Sequence, residues 1–153
     1  MTDLDQLHSF ILAAKAATYV GDGEPGPSCR PASHDLVYQS GDYRYLDSYF
    51  GGADFIGEEV VYLLSQPIWG ENYYGKLLKP NLISPEAIGK MIKASLSLMY
   101  QERRFLGGWS HTQGELTYFD TSTGDLTHFS GREWIEKDSE VIYELAYHGG
   151  MIR

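Results

Sequence analysis

The sequence predicts an α+β domain: a largely antiparallel, twisted sheet, made of a meander plus C-terminal hairpins, packed against two helices. Three observations carry this. Two segments repeat apolar residues at intervals of three and four behind an N-cap residue. The stretches 34–75 and 115–148 read as strands broken by short Gly, Pro, Asp and Ser turns. The connections between those strands are too short for anything but antiparallel neighbours.

The first helix is predicted over residues 3–16. Leu4, Leu7, Phe10, Ile11 and Ala14 form its apolar stripe, Thr2 is the expected N-cap and two acids fall in the first turn. Thr18-Tyr19-Val20 suits a short strand, and residues 21–33, with three prolines and three glycines, an irregular surface loop. The meander then follows as Leu36-Val37-Tyr38, Tyr43 to Phe50, Phe55 to Leu64 and Ile68 to Tyr74, with turns at Gln39-Ser40-Gly41-Asp42, Gly51-Gly52 and Ser65-Gln66-Pro67. A second helix is predicted over 84–106: Ser84 caps it, Pro85 takes the first helical position, Ile88, Met91, Ile92, Leu96 and Met99 form its stripe, and Gly107-Gly108 stops it. Arg103 and Arg104 in its last turn would face the negative end of the helix dipole. Beyond it, Glu115 to Phe119, Leu126 to Ser130, Glu133 to Glu136 and Glu140 to His148 read as strands, with hairpin signals at Thr123-Gly124, Ser130-Gly131 and Lys137-Asp138-Ser139.

No shift in composition divides the chain, so residues 1–153 are expected to form one domain. With 42% hydrophobic residues, a chain of this length can bury enough surface to fold without a metal or disulfide. Twelve Lys and Arg against twenty-one Asp and Glu give a net charge of −9, and no basic cluster reverses it locally, which argues against direct nucleic-acid binding. No apolar run approaches the roughly 20 residues of a membrane span, and the first residues are acidic where a signal peptide is basic. A cytoplasmic protein with no membrane partner is expected. The single Cys29 cannot form an intrachain disulfide, in keeping with a reducing compartment.

Gly21-Asp22-Gly23-Glu24-Pro25-Gly26 matches G-x-G-x-x-G, but its two acids repel phosphate and its proline, with Pro27, removes donors and blocks a helix, so a loop is expected and no dinucleotide cofactor. The five histidines form no metal-binding array. A site assembled from distant strands would draw on His34, Glu58, Glu59 and His148, and the expectation is no metal. No G-x-S-x-G elbow is present, and Cys29 beside Arg30 reads as a packing residue before a nucleophile. Asp47, Glu58, Glu59, Glu71 and His34 lie in or beside the meander and supply groups for acid–base chemistry.

The most unusual feature is aromatic: 12 tyrosines in 153 residues. Many fall in strands, where their apolar bodies and polar tips suit a half-buried sheet. Tyr43, Tyr45, Tyr49, Trp69 and Tyr73 could equally wall a pocket in which Asp47, Glu58 or Glu59 and Asn72 orient a ligand. Strand parity limits this, because Glu58 and Glu59 face opposite ways, as do Asn72 and Tyr73, and Trp69 and Asn72 share a face only if Gly70 bulges.

Arg30-Pro31-Ala32-Ser33-His34-Asp35, Gly41-Asp42-Tyr43-Arg44-Tyr45-Leu46-Asp47, Gly51-Gly52, Phe55-Ile56-Gly57-Glu58-Glu59, Pro67-Ile68-Trp69-Gly70-Glu71-Asn72-Tyr73-Tyr74-Gly75 and Tyr147-His148-Gly149-Gly150 together resemble a bacterial family of domains of unknown function. The resemblance runs from Phe10 to Gly150. Members stand alone or follow a helix-turn-helix module, which implies a sensing or effector-binding role and no defined activity.

The expected function is therefore a sensor-like, small-molecule-binding domain with an aromatic and acidic pocket on the 34–75 meander, closed by the 21–33 loop. Its expected ligand-binding residues are Arg30, His34, Tyr45, Asp47, Glu58, Glu59, Trp69, Asn72, Tyr73 and His148, with Arg30 and His34 meeting Asp47, Glu58 or Glu59. The partner expected is an unidentified small molecule, with a homo-oligomer as a possible assembly. The rivals are a cofactor-independent hydrolase, lyase or isomerase using a His–carboxylate pair, and a protein-interaction module.

Overall fold

The computed structural model describes residues 2–21 and 23–153. Helix α1 (Leu4–Ala17) is capped by Asp3, whose carboxylate accepts from the backbone N–H groups of Asp5 and Gln6. Asp3 therefore takes the role expected of Thr2. The strand expected at Thr18–Val20 is absent: the Thr18 N–H and hydroxyl both bond the Ala14 carbonyl, closing the helix and committing the next residues to a turn. Leu7, Phe10, Ile11 and Ala14 are buried, and so is Lys15, which continues the Leu7–Ile11 row one turn further.

The chain next runs through β1 (Pro25–Gly26), β2 (His34–Ser40), β3 (Tyr43–Gly51), β4 (Phe55–Leu63) and β5 (Gln66–Leu77), each strand antiparallel to the one before it. Helix α2 (Pro85–Gln101) crosses over, with Ser84 as its N-cap and Pro85 in its first turn, as the sequence predicts. It ends at Gln101, a turn earlier than predicted: the N–H groups of Glu102 and Arg103 close back on Met99 and Tyr100, and Arg103 takes a left-handed backbone (φ 60°). No basic residue lies in the last helical turn. Arg104 instead binds the carbonyls of Leu106 and Gly108 and the Glu102 carboxylate.

A second meander follows: β6 (Trp109–Gln113), which lies outside the strands predicted from sequence, then β7 (Leu116–Asp125), β8 (His128–Lys137) and β9 (Glu140–Met151). The two blocks join because β9 pairs with β5, giving one nine-stranded antiparallel sheet in the order β1-β2-β3-β4-β5-β9-β8-β7-β6. This is the predicted α+β architecture. The hairpin signals at Ser130-Gly131 and Thr123-Gly124 mislead. Gly131 lies inside β8, opposite Tyr147 and directly beside its ring, so closely that a Cβ there would fall 2.1 Å from the ring. The glycine serves side-chain packing, and the turn falls at Leu126-Thr127.

The concave face of the sheet and the two helices enclose the core. Leu7, Ile11, Val61, Trp69, Met99, Ile135, Ile142 and Tyr143 are each fully buried or nearly so. Trp69 stacks on Phe129, meets Phe105 edge-on and donates its indole N–H to the Leu126 carbonyl. Among the described residues no helix is long and apolar enough to cross a membrane.

Candidate functional site

The alternation of strand side chains places two acidic rows on the concave face. Asp47, Glu59 and Glu71 are direct cross-strand neighbours on β3, β4 and β5, and Asp120 and Glu133 are neighbours on β7 and β8. Like charges directly opposite one another oppose sheet pairing. The structure answers this with one lysine and a set of tyrosines. Lys15 reaches from α1 to Glu59 at 2.6 Å and Glu71 at 3.2 Å, its ammonium 5.3 Å above the Phe105 ring. Tyr73 donates to Asp47 at 2.5 Å, Tyr147 to Asp120 at 2.7 Å, and Tyr118 and Tyr143 donate to the two oxygens of Glu133 at 2.5 and 3.0 Å.

These groups surround a cavity of about 240 Å³ between the concave face, α1 and α2. The five carboxyls and Lys15 line it, as do Tyr19, Tyr45, Tyr49, Tyr73, Tyr100, Tyr143 and Tyr147. Val20, from the turn beyond α1, and Gly51 and Gly52, at the end of β3 and just past it, also border it.

Burial, which penalises charge, sets the electrostatics. It raises the Glu71 and Asp47 carboxyls well above their ordinary range; Lys15 partly offsets this at Glu71, while the charge of Glu59 adds to it at both. It raises Glu133 to about 7, against the hydrogen bond from Tyr118, and Asp120 to about 6, against the one from Tyr147. Burial alone would lower the Lys15 ammonium, but Glu59 and Glu71 hold it well above its usual value. The cavity thus carries carboxyls that trade protons near neutral pH beside tyrosines that stay neutral.

Of the residues expected to form a site, Tyr45, Asp47, Glu59 and Tyr73 meet in this cavity. Glu58, Asn72 and His148 are cross-strand neighbours on the opposite, convex face, where they border a more open hollow of about 440 Å³ together with His128. Trp69 keeps parity with Glu71 and Tyr73, and so points inward, but it is sealed in the core and does not border the cavity. The His34 ring lies 5.1 Å from that of Tyr49 in a tilted arrangement, and His34 does not line the cavity itself.

The second half of the 21–33 loop folds over the convex side of β3 and does not close the cavity. Arg30 donates to the Ser48 carbonyl and hydroxyl and lies over Phe50, while Asp35 accepts from the Cys29 N–H and from the Ser33 and Ser48 hydroxyls. Burial works against the Asp35 charge, but those hydrogen bonds hold its pKa down at about 2. The expected meeting of Arg30 and His34 with Asp47, Glu58 or Glu59 does not form; Ser48 takes the guanidinium because it faces outward while Asp47 faces inward. His34, Glu58, Glu59 and His148 are likewise divided between faces, and the described residues contain no cluster of three or more His, Cys, Asp or Glu side chains placed to hold a metal. Asp22, within the rejected G-x-G-x-x-G match, lies outside the described residues.

Lys15, Tyr100, Asp120, Glu133, Tyr143 and Tyr147 are not among the site residues expected from sequence. Parity held a signal for some of them: Tyr118 and Asp120, and Tyr143, Leu145 and Tyr147, alternate inward along their strands. Lys15 was the other signal, a charge four residues beyond Ile11 on an apolar helical row, which requires a buried counter-ion.

A family model described as "Domain of unknown function (DUF5680)" matches residues 47–152, a span from Asp47 on β3 through β9. No curated protein and no solved structure matches the chain.

Proposed function

As the chain belongs to the DUF5680 family, whose description assigns no activity, we propose from its geometry that it is a small-molecule-binding domain whose site is the concave-face cavity. One observation carries this reading: among the described residues five carboxyls and seven tyrosines converge on one interior space, although the acidic rows cost stability and an apolar lining would fold more readily. Binding uses the meander residues Tyr45, Asp47, Glu59 and Tyr73 together with their counterparts on β7–β9. At about 240 Å³ the space is small for a ligand cavity and suits a correspondingly small molecule.

Native mass spectrometry of freshly purified protein tests this, beside a Leu96→Trp variant in which the larger side chain fills the cavity from α2. The wild type should retain, or take up from a metabolite-sized library, a molecule that the variant does not hold. Equal uptake by the two proteins, or none by the folded wild type, would remove the site from this cavity.

The acid–base reading has one observation in its favour, the Glu133 carboxyl poised at about 7 inside the cavity. Among the described residues no histidine lines that space, so such chemistry would use a carboxyl with a tyrosine and not the His–carboxylate pair. A retained molecule recovered chemically altered would favour it.

A further inference from the structure

Resting on the binding reading above, we infer that the cavity takes an organic ammonium ion with an apolar or aromatic portion, Asp47 serving as its counter-ion and the Tyr45 hydroxyl as a second polar contact. The charge balance is the first ground. Among the described residues five carboxyls line the space against one ammonium, and Lys15 is already engaged by Glu59 and Glu71. Asp47 and Glu133 form no ion pair among the described residues, whereas a bound cation would supply one.

The second ground is independent of the acidic cluster. Tyr45 is 1% exposed, lines the cavity, and its hydroxyl has no hydrogen-bond partner among the described residues. Asp47 is 4% exposed and accepts one hydrogen bond, from Tyr73, on Oδ1 alone. The indole nitrogen of Trp109 is the one fully enclosed side-chain polar atom left unpartnered among the described residues. The Tyr45 hydroxyl and Asp47 Oδ2 are therefore not sealed against protein but border open cavity space. They lie two residues apart on β3 and project from the same face of that strand into the cavity.

The third ground is the wall. Tyr49, Tyr73, Tyr100 and Phe55 surround the same space, and rings of this kind attract cations through their faces. Lys15 over Phe105 already shows an ammonium held by carboxylates and a ring in this interior. A neutral ligand would use the rings but leave Asp47 without a counter-charge, and an anion would meet five acids.

Isothermal titration calorimetry at pH 7.5 tests the class with two matched probe sets. These are 2-phenylethylamine, 2-phenylethanol and 3-phenylpropanoate, and hexylamine, hexanol and heptanoate. In at least one set the amine should bind about tenfold or more tightly than the alcohol, the carboxylate being weakest. Asp47→Asn should remove that advantage while leaving the alcohol unchanged. Tyr45→Phe, which keeps the ring, should weaken the amine severalfold and supplies the same comparison if Asp47→Asn fails to fold. An alcohol or carboxylate bound as tightly as its amine would overturn the ammonium assignment and leave the cavity-binding reading standing. No heat from any probe at millimolar concentration would overturn the ammonium assignment, while uptake from the library in native mass spectrometry still decides the cavity-binding reading.

Discussion

Replacing Lys15 by methionine removes the one ammonium of the buried acidic rows while nearly conserving side-chain volume. Glu59 and Glu71 then face each other across β4 and β5 without a cation. Breaking a buried ion pair from one side costs about 3–5 kcal/mol, because the remaining charge is stranded. A carboxyl can escape by taking up a proton, and the cost of that escape depends on pH. From an ordinary value of 4.5, holding one carboxyl protonated costs about 5 kcal/mol at pH 8 and less than about 1 kcal/mol at pH 5. The sign follows: the folded variant keeps a proton that the unfolded chain releases above pH 4.5, so its stability falls as pH rises. Urea unfolding of both proteins should show a loss of about 3–5 kcal/mol at pH 8 that shrinks to about 1 kcal/mol at pH 5. A variant unfolded at pH 8 that regains its fold at pH 5 carries the same information. A loss independent of pH, or below about 1 kcal/mol at pH 8, would refute the buried triad.

The ligand-free wild type should itself weaken as pH rises from about 4 to about 7, because Glu133, raised to about 7, and Asp120, raised to about 6, hold protons that the unfolded chain gives up. Glu133→Gln should remove about 3 kcal/mol of that decline, as read from melts across the range; an unchanged pH profile would show that Glu133 titrates normally. Trp69→Phe should cost about 1–3 kcal/mol by chemical denaturation, through the lost volume and the unpaired Leu126 carbonyl, without altering affinity for any cavity ligand, whereas weakened binding in a stable variant would place Trp69 in the site. Gly131→Ala should cost about 1–3 kcal/mol, because its Cβ displaces the Tyr147 ring and with it the bond to Asp120; a neutral melt would contradict that packing. Asp35→Asn should cost about 1–3 kcal/mol near neutral pH by loosening the Cys29–Ser33 loop, an effect that fades as pH falls toward 2, where the wild-type carboxylate also protonates.

Local signals made much of this fold legible. The Ser84-Pro85 start of α2 and the strands from β2 to β5 follow from capping chemistry and turn residues, both of which act over a few positions. Errors arose where a residue's role depends on a distant partner. Gly131 reads as a turn until Tyr147 is placed beside it, and Arg103 and Arg104 read as helical until the left-handed backbone at Arg103 is known. The candidate site divides in the same way. Parity separated Glu58 from Glu59 and Asn72 from Tyr73, as the two faces of β4 and β5 now show. What parity could not supply was the pairing of β9 with β5, which brings Tyr147 beside Tyr73 and sets Glu133 and Asp120 on the same concave face as Asp47. That juxtaposition spans most of the chain and leaves no trace in any short window of sequence.

The face that carries the site is the account's central claim, and backbone amide NMR during titration with 2-phenylethylamine tests it most directly. Tyr45, Asp47, Tyr73, Glu133 and Tyr147 should shift together and saturate at one affinity, while Glu58, Asn72 and His148 stay within error once transmission through the shared strands is removed by comparison with Asp47→Asn. Saturable shifts centred on Glu58, Asn72 and His148 that persist in Asp47→Asn would put the site on the convex face and contradict the account.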